Sequence, residues 1–340
     1  ATTCHVFVCH ARSWVLCCYL KVDSCFIMLH TLNHLASFAC HFLHPLPVDD
    51  TLAAMGYTEH HYPTGDGLSL YYRSYGSGRD GVVCLPGLTR NSKDFHEIAT
   101  HLSSRYRVIC LDLRGRGRSD WDTDWRNYHP DTYINDTWKL LDHLDIANCV
   151  LIGTSLGGLL AMIMASQQPG RVRAVVLNDA GPEADPAGYT RILASFDHQV
   201  EFRNWREATR HCKQMYLAAL PDMPAGFWDE FVHKNYREGV NGQPELDIDP
   251  KIGEAIRKGD LSRIAGIQVD PWDAFKGVTM PCLVLRGELS DILSAEIVER
   301  MSAAKPDLKK AVIPDRGHAP LLNEPDSIAA IDTFLKQLSS

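Results

Sequence analysis

One stretch, Val150-Leu151-Ile152-Gly153-Thr154-Ser155-Leu156-Gly157-Gly158, constrains this chain more than anything else in it. An apolar run that reads as a buried strand passes through G-x-S-x-G into a helical stretch, Leu156–Gln167, ended by Pro169-Gly170. A strand-to-helix turn this sharp forces its middle residue into a strained backbone and exposes its hydroxyl. Glycines at 153 and 157 remove side chains that would collide across the turn. The helix N-terminus behind Ser155 favours negative charge, and the Leu156 N–H can point at a developing oxyanion. Ser155 is therefore the candidate nucleophile. The competing reading, a surface serine in a Gly-rich turn, leaves the strand before it and the helix after it as coincidences.

The rest of the chain repeats this alternation. Leu68–Tyr75 alternates, is rich in aromatics and reads as an antiparallel opening strand. Gly81–Leu85, Tyr106–Leu111, Cys149–Ile152, Val172–Leu177, Cys282–Arg286 and Lys309–Ile313 read as strands. Between them, Ser92–Leu102 (with Ser92 as N-cap), Thr132–Leu144, Ala295–Met301 and Asp326–Leu338 read as helices. Such alternation predicts a mostly parallel sheet covered on both faces. Residues 180–275 break the rhythm with helical stretches, many aromatics and no clear strand, and read as a helical cap. The expected division is 1–54 as an atypical extension, 55–179 with 276–340 as the α/β core, and 180–275 as the cap.

A serine hydroxyl is a weak nucleophile until a base takes its proton. Two polar loops downstream can supply the base and its acid. Gly287-Glu288-Leu289-Ser290-Asp291 follows one strand, and Pro314-Asp315-Arg316-Gly317-His318-Ala319-Pro320 follows the last. Both lie at the sheet edge expected for Ser155. Of the 16 histidines, only His318 follows the last strand in a Gly-His-Ala loop, which makes it the candidate base. Asp291 is the first candidate for the acid that orients it, with Glu288 and Asp179 as competitors. Gly87 in Pro86-Gly87-Leu88-Thr89-Arg90-Asn91 allows close approach, so the Leu88 N–H is the candidate second oxyanion donor, beside Leu156.

Composition narrows the partners. A formal charge of −8 with no basic stripe disfavours nucleic acid and anionic membrane and favours neutral small molecules. Of the 11 cysteines, Cys84, Cys110, Cys149 and Cys282 sit in or beside the buried strands, where a thiol behaves as a small hydrophobe. No CxxC pair or zinc spacing occurs, so no cofactor or metal is expected and a reducing, cytoplasmic setting is.

Residues 1–54 stand apart. Cys4, Cys9, Cys17, Cys18, Cys25 and Cys40 crowd into them, and one reading places an ancestral start near Met55. Met28, Leu32, Leu35, Ala39 and Phe42 predict an amphipathic helix, with His30, His34, Ser37, His41 and His44 on its other face. That histidine stripe reads as a polar face before it reads as a metal site. No unbroken run reaches about 18 apolar residues, so a membrane span is not expected. Packing onto the main domain, or onto a second copy as a homo-oligomer contact, is the expected role.

Over residues 57–338 the chain resembles the α/β-hydrolase superfamily. The resemblance is carried by CLPGLTRN, LDLRGRGRSD, GTSLGG, RGELSDIL and DRGHAP. It is nearest to the small capped carboxylesterases and enol-lactonase-like hydrolases. The resemblance implies the α/β-hydrolase fold, with an eight-stranded, mostly parallel sheet, helices on both faces and a helical cap insertion. It carries the nucleophile to Ser155, the acid to Asp291, the base to His318 and the oxyanion donors to Leu88 and Leu156. Pro86-Gly87 stands where the family usually has His-Gly. A serine at 155 argues against the haloalkane dehalogenases and epoxide hydrolases, which use Asp there. The Gly-Pro-Gly oxyanion loops of prolyl aminopeptidases and ring-cleavage C–C hydrolases are absent from the sequence. Asp112 to Asp120 is expected to be structural, with Arg114, Arg116 and Arg118 in turn and salt-bridge contacts.

The implied activity is hydrolysis of small or medium carboxylic esters through an acyl-enzyme on Ser155. Lactone or C–C hydrolysis by the same triad, and a hydrolase-fold receptor or regulator that keeps its triad, are the alternatives. Phe196, Phe202, Trp205, Tyr216, Phe227, Trp228, Phe231 and Tyr236 are expected to divide between cap core and pocket.

Overall fold

A computed structural model describes residues 6–7, 17–22, 25–28, 56–197, 200–258 and 270–338. The chain divides into two compact units, Ala1–Ala54 and Met55–Ser340. In the first, strands β1 (Val6–Phe7), β2 (Cys17–Val22) and β3 (Cys25–Met28) form an antiparallel sheet. Met28, expected to open an amphipathic helix, instead ends a strand. The rest of that expected helix and its histidine stripe lie outside the described residues.

The second unit is built on one eight-stranded sheet. Its strands are β4 (Thr58–Pro63), β5 (Ser69–Tyr75), β6 (Gly81–Leu85), β7 (Arg107–Leu111), β8 (Cys149–Thr154), β9 (Val172–Asn178), β12 (Cys282–Gly287) and β13 (Lys309–Ile313). The spatial order is β13-β12-β9-β8-β6-β7-β5-β4, and only β5 runs against its neighbours. Strand β4 has no counterpart in the sequence reading. It pairs along β5 with mostly solvent-facing side chains, so it lacks the apolar run that marked the others.

The central strands are apolar throughout because both of their faces are covered. Val83 and Leu85 of β6, with Leu151 of β8, join one hydrophobic core, while Val82, Cys84, Val150 and Ile152 join the other. Helices α1 (His96–Leu102) and α10 (Pro325–Gln337) cover the second face. Helices α2 (Pro130–His143), α3 (Leu156–Gln167) and α9 (Ala295–Ala304) cover the first. Cys84, Cys110, Cys149 and Cys282 are free thiols buried in this packing. Capping departs from expectation at one place: Asn91, not Ser92, accepts the Lys93 N–H at 3.1 Å and opens a 3-10 turn ahead of α1.

The insertion between β9 and β12 carries α4 (Pro186–Asp197), α5 (Trp205–Tyr216), α6 (Phe227–Asn235), a short hairpin of β10 (Tyr236–Glu238) and β11 (Pro244–Leu246), α7 (Lys251–Lys258) and α8 (Pro271–Lys276). The hairpin is too short to leave a period-two signal, so the sequence showed no strand there. Phe202, Ala208, Cys212, Leu220, Trp228, Phe231 and Val232 form a small core of the insertion's own.

The arginines of the Asp112–Asp120 loop are structural. Buried Arg114 pairs with Asp66, Asp122 and Asp136, and Arg118 pairs with Glu59. Asp112 accepts the Ser92 and Arg118 N–H groups at 2.7 and 2.9 Å.

Candidate active site

Strand β8 delivers Ser155 at the mouth of the sheet, and α3 begins at the next residue. Ser155 has φ 54° and ψ −116°, an unfavourable backbone for a side-chain-bearing residue. The turn is over-determined. Ser155 donates its N–H to Asn178 O at 3.1 Å, and its carbonyl accepts Gly158 and Leu159 N–H at 2.9 and 3.1 Å. A Cβ at Gly157 would lie 2.0 Å from the Leu85 carbonyl oxygen, so only glycine lets the helix start this close to β6.

His318 stands over the serine. Its Nε2 is 2.8 Å from Ser155 Oγ, and its Nδ1 is 2.7 Å from Asp179 Oδ2. A carboxylate can only accept, so Nδ1 carries the proton and Nε2 is left to accept from the serine hydroxyl. Asp179 directly follows β9 and has no exposed side-chain surface. Its Oδ1 accepts the Gly287 N–H at 2.8 Å, and its Oδ2 accepts Ser290 Oγ–H at 2.5 Å.

The carboxylate that bonds His318 therefore differs from the first candidate that the sequence offers. Asp291 makes a two-pronged ion pair with Arg191 of α4, at 2.6 and 2.8 Å, rather than bonding His318. The hydrogen bond from Arg191 holds the Asp291 carboxyl below its usual range, against an opposing push from burial. Glu288 accepts the Asp315 N–H at 3.2 Å and is likewise not the partner of His318. The reason lies in strand order. β9 is hydrogen-bonded to β8, whereas β12 is one strand further from Ser155. Asp179 is the first residue past β9, whereas Asp291 comes four positions after Gly287, on the loop between β12 and α9, where it faces α4. The usable signal is Asn178-Asp179 directly after the apolar run of residues 174–177, with no intervening loop.

Leu88 lines the same cavity as Ser155. Its carbonyl accepts from Arg116 Nε at 2.6 Å, which fixes the Leu88 peptide. A Cβ on Gly87 would lie 3.7 Å from Ser155 Cβ, so this loop passes directly over Ser155. Leu156, the other expected donor, is the first residue of α3.

The cavity measures about 200 Å³ and is bounded by Ser155, His318 and the insertion. Tyr216, Phe227 and Phe231 line it, Phe231 also being part of the insertion's core, while Phe202 and Trp228 belong to that core alone. Trp205 stacks on His233 at 4.1 Å, and Tyr236 packs beside Phe202. The side chain of Phe196 lies outside the described residues. The cationic side chains on the cavity wall are each matched by a carboxylate: Arg90 by Asp94, Lys234 by Glu97 and Arg191 by Asp291. Among the described residues no His, Cys, Asp and Glu groups could hold a metal ion, and no helix is long and apolar enough to cross a membrane.

Known proteins share this arrangement of chain. A family model described as the alpha/beta hydrolase fold matches residues 81–325. A 3-hydroxybutyrate-oligomer hydrolase of Cupriavidus necator is 34% identical over 263 residues, 74% of this chain and 87% of the relative. A 2-(acetamidomethylene)succinate hydrolase of Mesorhizobium japonicum is 28% identical over 252 residues, 74% of this chain and 85% of that protein. The crystal structure of an alpha/beta hydrolase from Novosphingobium aromaticivorans is 41% identical, with a TM-score of 0.77, covering 83% of this chain and 99% of that one. With its sheet, its connections and these matches in agreement, the chain belongs to the α/β-hydrolase family.

Proposed function

We propose that this hydrolase is a serine carboxylesterase that cleaves small or medium esters through an acyl-enzyme on Ser155. The observation that carries this reading is the unbroken line Asp179–His318–Ser155, with contacts of 2.7 and 2.8 Å, opening onto a partly aromatic cavity. His318 Nε2 takes the Ser155 proton as Oγ attacks the ester carbonyl. Asp179 stabilises the imidazolium that forms. The N–H groups of Leu88 and Leu156 receive the oxyanion. The alcohol leaves with the proton from His318, and water, activated by the same imidazole, releases the acid and restores Ser155.

The insertion acts as a cap that restricts the cavity, whose volume suits a short acyl or alcohol chain. The 3-hydroxybutyrate-oligomer hydrolase relative adds one ester class, short oligoesters of hydroxy acids. The buried free thiols fit a reducing compartment such as the cytoplasm.

A steady-state panel of short p-nitrophenyl esters and hydroxy-acid dimers, run on the full chain, tests the reading. Turnover of at least one ester is expected. Ser155→Ala should lower kcat by about 10⁶-fold, to the assay floor, in a folded protein. Undiminished ester turnover in that variant overturns the proposal. Negligible turnover of the whole panel by the wild type would favour a binding role instead.

A further inference from the structure

We infer that Ser290 is a positioning residue of the hydrolytic site: its hydroxyl holds the Asp179 carboxylate against His318 and moderates how strongly that carboxylate stabilises the imidazolium. The inference rests on the triad reading above and adds a fourth side chain to it.

The direction of the hydrogen bond follows from counting. A serine hydroxyl has one proton and two acceptor sites. The Ile292 and Leu293 N–H groups point at Ser290 Oγ from 3.2 and 3.0 Å and occupy the acceptor side. The single proton is left for Asp179 Oδ2 at 2.5 Å, which can only accept. Ser290 is thus fixed as a donor by its own loop. The oxygen it reaches is the one that faces His318 Nδ1. Gly287 N–H holds the other carboxylate oxygen at 2.8 Å. The loop after β12, which carries Asp291, therefore holds Asp179 in place without itself supplying the partner of His318.

Two consequences follow from sharing Oδ2. The carboxylate cannot rotate away from His318 without breaking the bond to Ser290. A donor on the same oxygen also draws charge that would otherwise stabilise the imidazolium. Other charges nearby are engaged elsewhere. Asp291, whose charge acts on His318 through space, is tied to Arg191 of α4. Glu288 accepts the Asp315 N–H, and Arg316 is held by Glu324 and Asp222. Removing the Ser290 hydroxyl should then leave Asp179 looser and more strongly charged toward the imidazole. The acid limb of kcat/KM would then move upward.

The test is the pH profile of kcat/KM for S290A, S290T and D179N in the full chain, on an ester that the wild type turns over, with thermal unfolding followed in parallel. S290A is expected to lose about 10-fold in kcat and to move the acid limb up by about half a pH unit. S290T keeps the hydroxyl and should restore both. If S290A does not fold, S290C, a weak donor, should show the same upward shift. An unmoved acid limb overturns the inference, even with a loss of kcat, because that is what a merely structural role predicts. So does failure of S290T to recover the profile. An inactive D179N beside a wild-type profile in S290A overturns the role of Ser290 alone. An active D179N overturns the triad reading and Ser290 with it.

Discussion

Asp179 and Asp291 are carboxylates on loops that follow adjacent strands, β9 and β12, and their surroundings differ in almost every respect. Asp179 has no exposed side-chain surface and takes hydrogen bonds from Gly287, Ser290 and His318. Asp291 keeps 45% of its side chain in solvent, faces a single guanidinium and sits beside α4, near where the insertion leaves the sheet after β9. The Asp185 N–H, just ahead of α4, bonds to the Ile292 carbonyl at 2.8 Å, so Asp291 and its neighbour dock the insertion from both sides of the ion pair. The difference separates two uses of a carboxylate. One held against an imidazole is dry and fixed by several bonds at once, whereas a tether needs only a partner across the gap.

The sharpest way to break the comparison is to remove each charge in turn. Asp179→Asn should lower kcat by about 10⁴-fold, because the amide no longer stabilises the imidazolium or enforces its tautomer. Asp291→Asn should leave kcat within about threefold, as expected for an exposed pair worth little. Steady-state kinetics on one ester decides it. A reversed ranking would restore Asp291 to the acid's role and place the observed pairing outside the catalytic state.

A smaller effect should come from Gly287, which touches both loops. A Cβ there would lie 2.4 Å from Arg316 O and 2.5 Å from Gly317 O, next to His318. Gly287→Ala must separate the loop that donates to Asp179 from the loop that carries the base. An error of about 1 Å in such a geometry costs about 100-fold in rate, so a loss of 10- to 100-fold is expected. Overpacking against backbone should also lower stability by about 1–3 kcal/mol. Wild-type kcat in this variant would show that the spacing of these two loops does not limit the rate.

The contrast between the two aspartates also marks how far the sequence could be read. Ser155 was legible because its turn writes itself into glycines and flanking apolar runs, and His318 because it alone follows the last strand. The eight-stranded sheet was legible wherever burial on both faces made a strand continuously apolar. Strand β4 leaves no such mark because all but Tyr62 of its side chains stay at least partly in solvent, and the β10–β11 hairpin leaves none because three residues cannot show a period. The partner of His318 is hidden for a different reason. Choosing between two carboxylates after two strands depends on strand order and on which loop bends toward the base, and neither is a local property. Ser290 was invisible on the same grounds, since its partner is distant in sequence. The pocket aromatics Tyr216, Phe227 and Phe231 could be named as a class, but only packing separates them from Phe202 and Trp228.

The smallest effect sharpens the comparison from the side of stability. Arg191 holds Asp291 below its usual carboxylate range, so the folded state binds that proton more weakly than the unfolded state does. The sign follows from linkage: the pair contributes stability above the unfolded value near 3.8, and loses it as pH falls through the lowered folded value. With 45% of each side chain exposed, the contribution at neutral pH should be under about 1 kcal/mol and should shrink with salt. Denaturant unfolding of Asp291→Asn and wild type at pH 7 should therefore differ by no more than that, and the gap should close as the medium is acidified below the ordinary carboxylate range. A gap that persists at low pH would mean that the ion pair is not its source. A gap of several kcal/mol at pH 7 would mean that Asp291 anchors the insertion far more firmly than an exposed pair can, and the distinction between acid and tether would have to be redrawn.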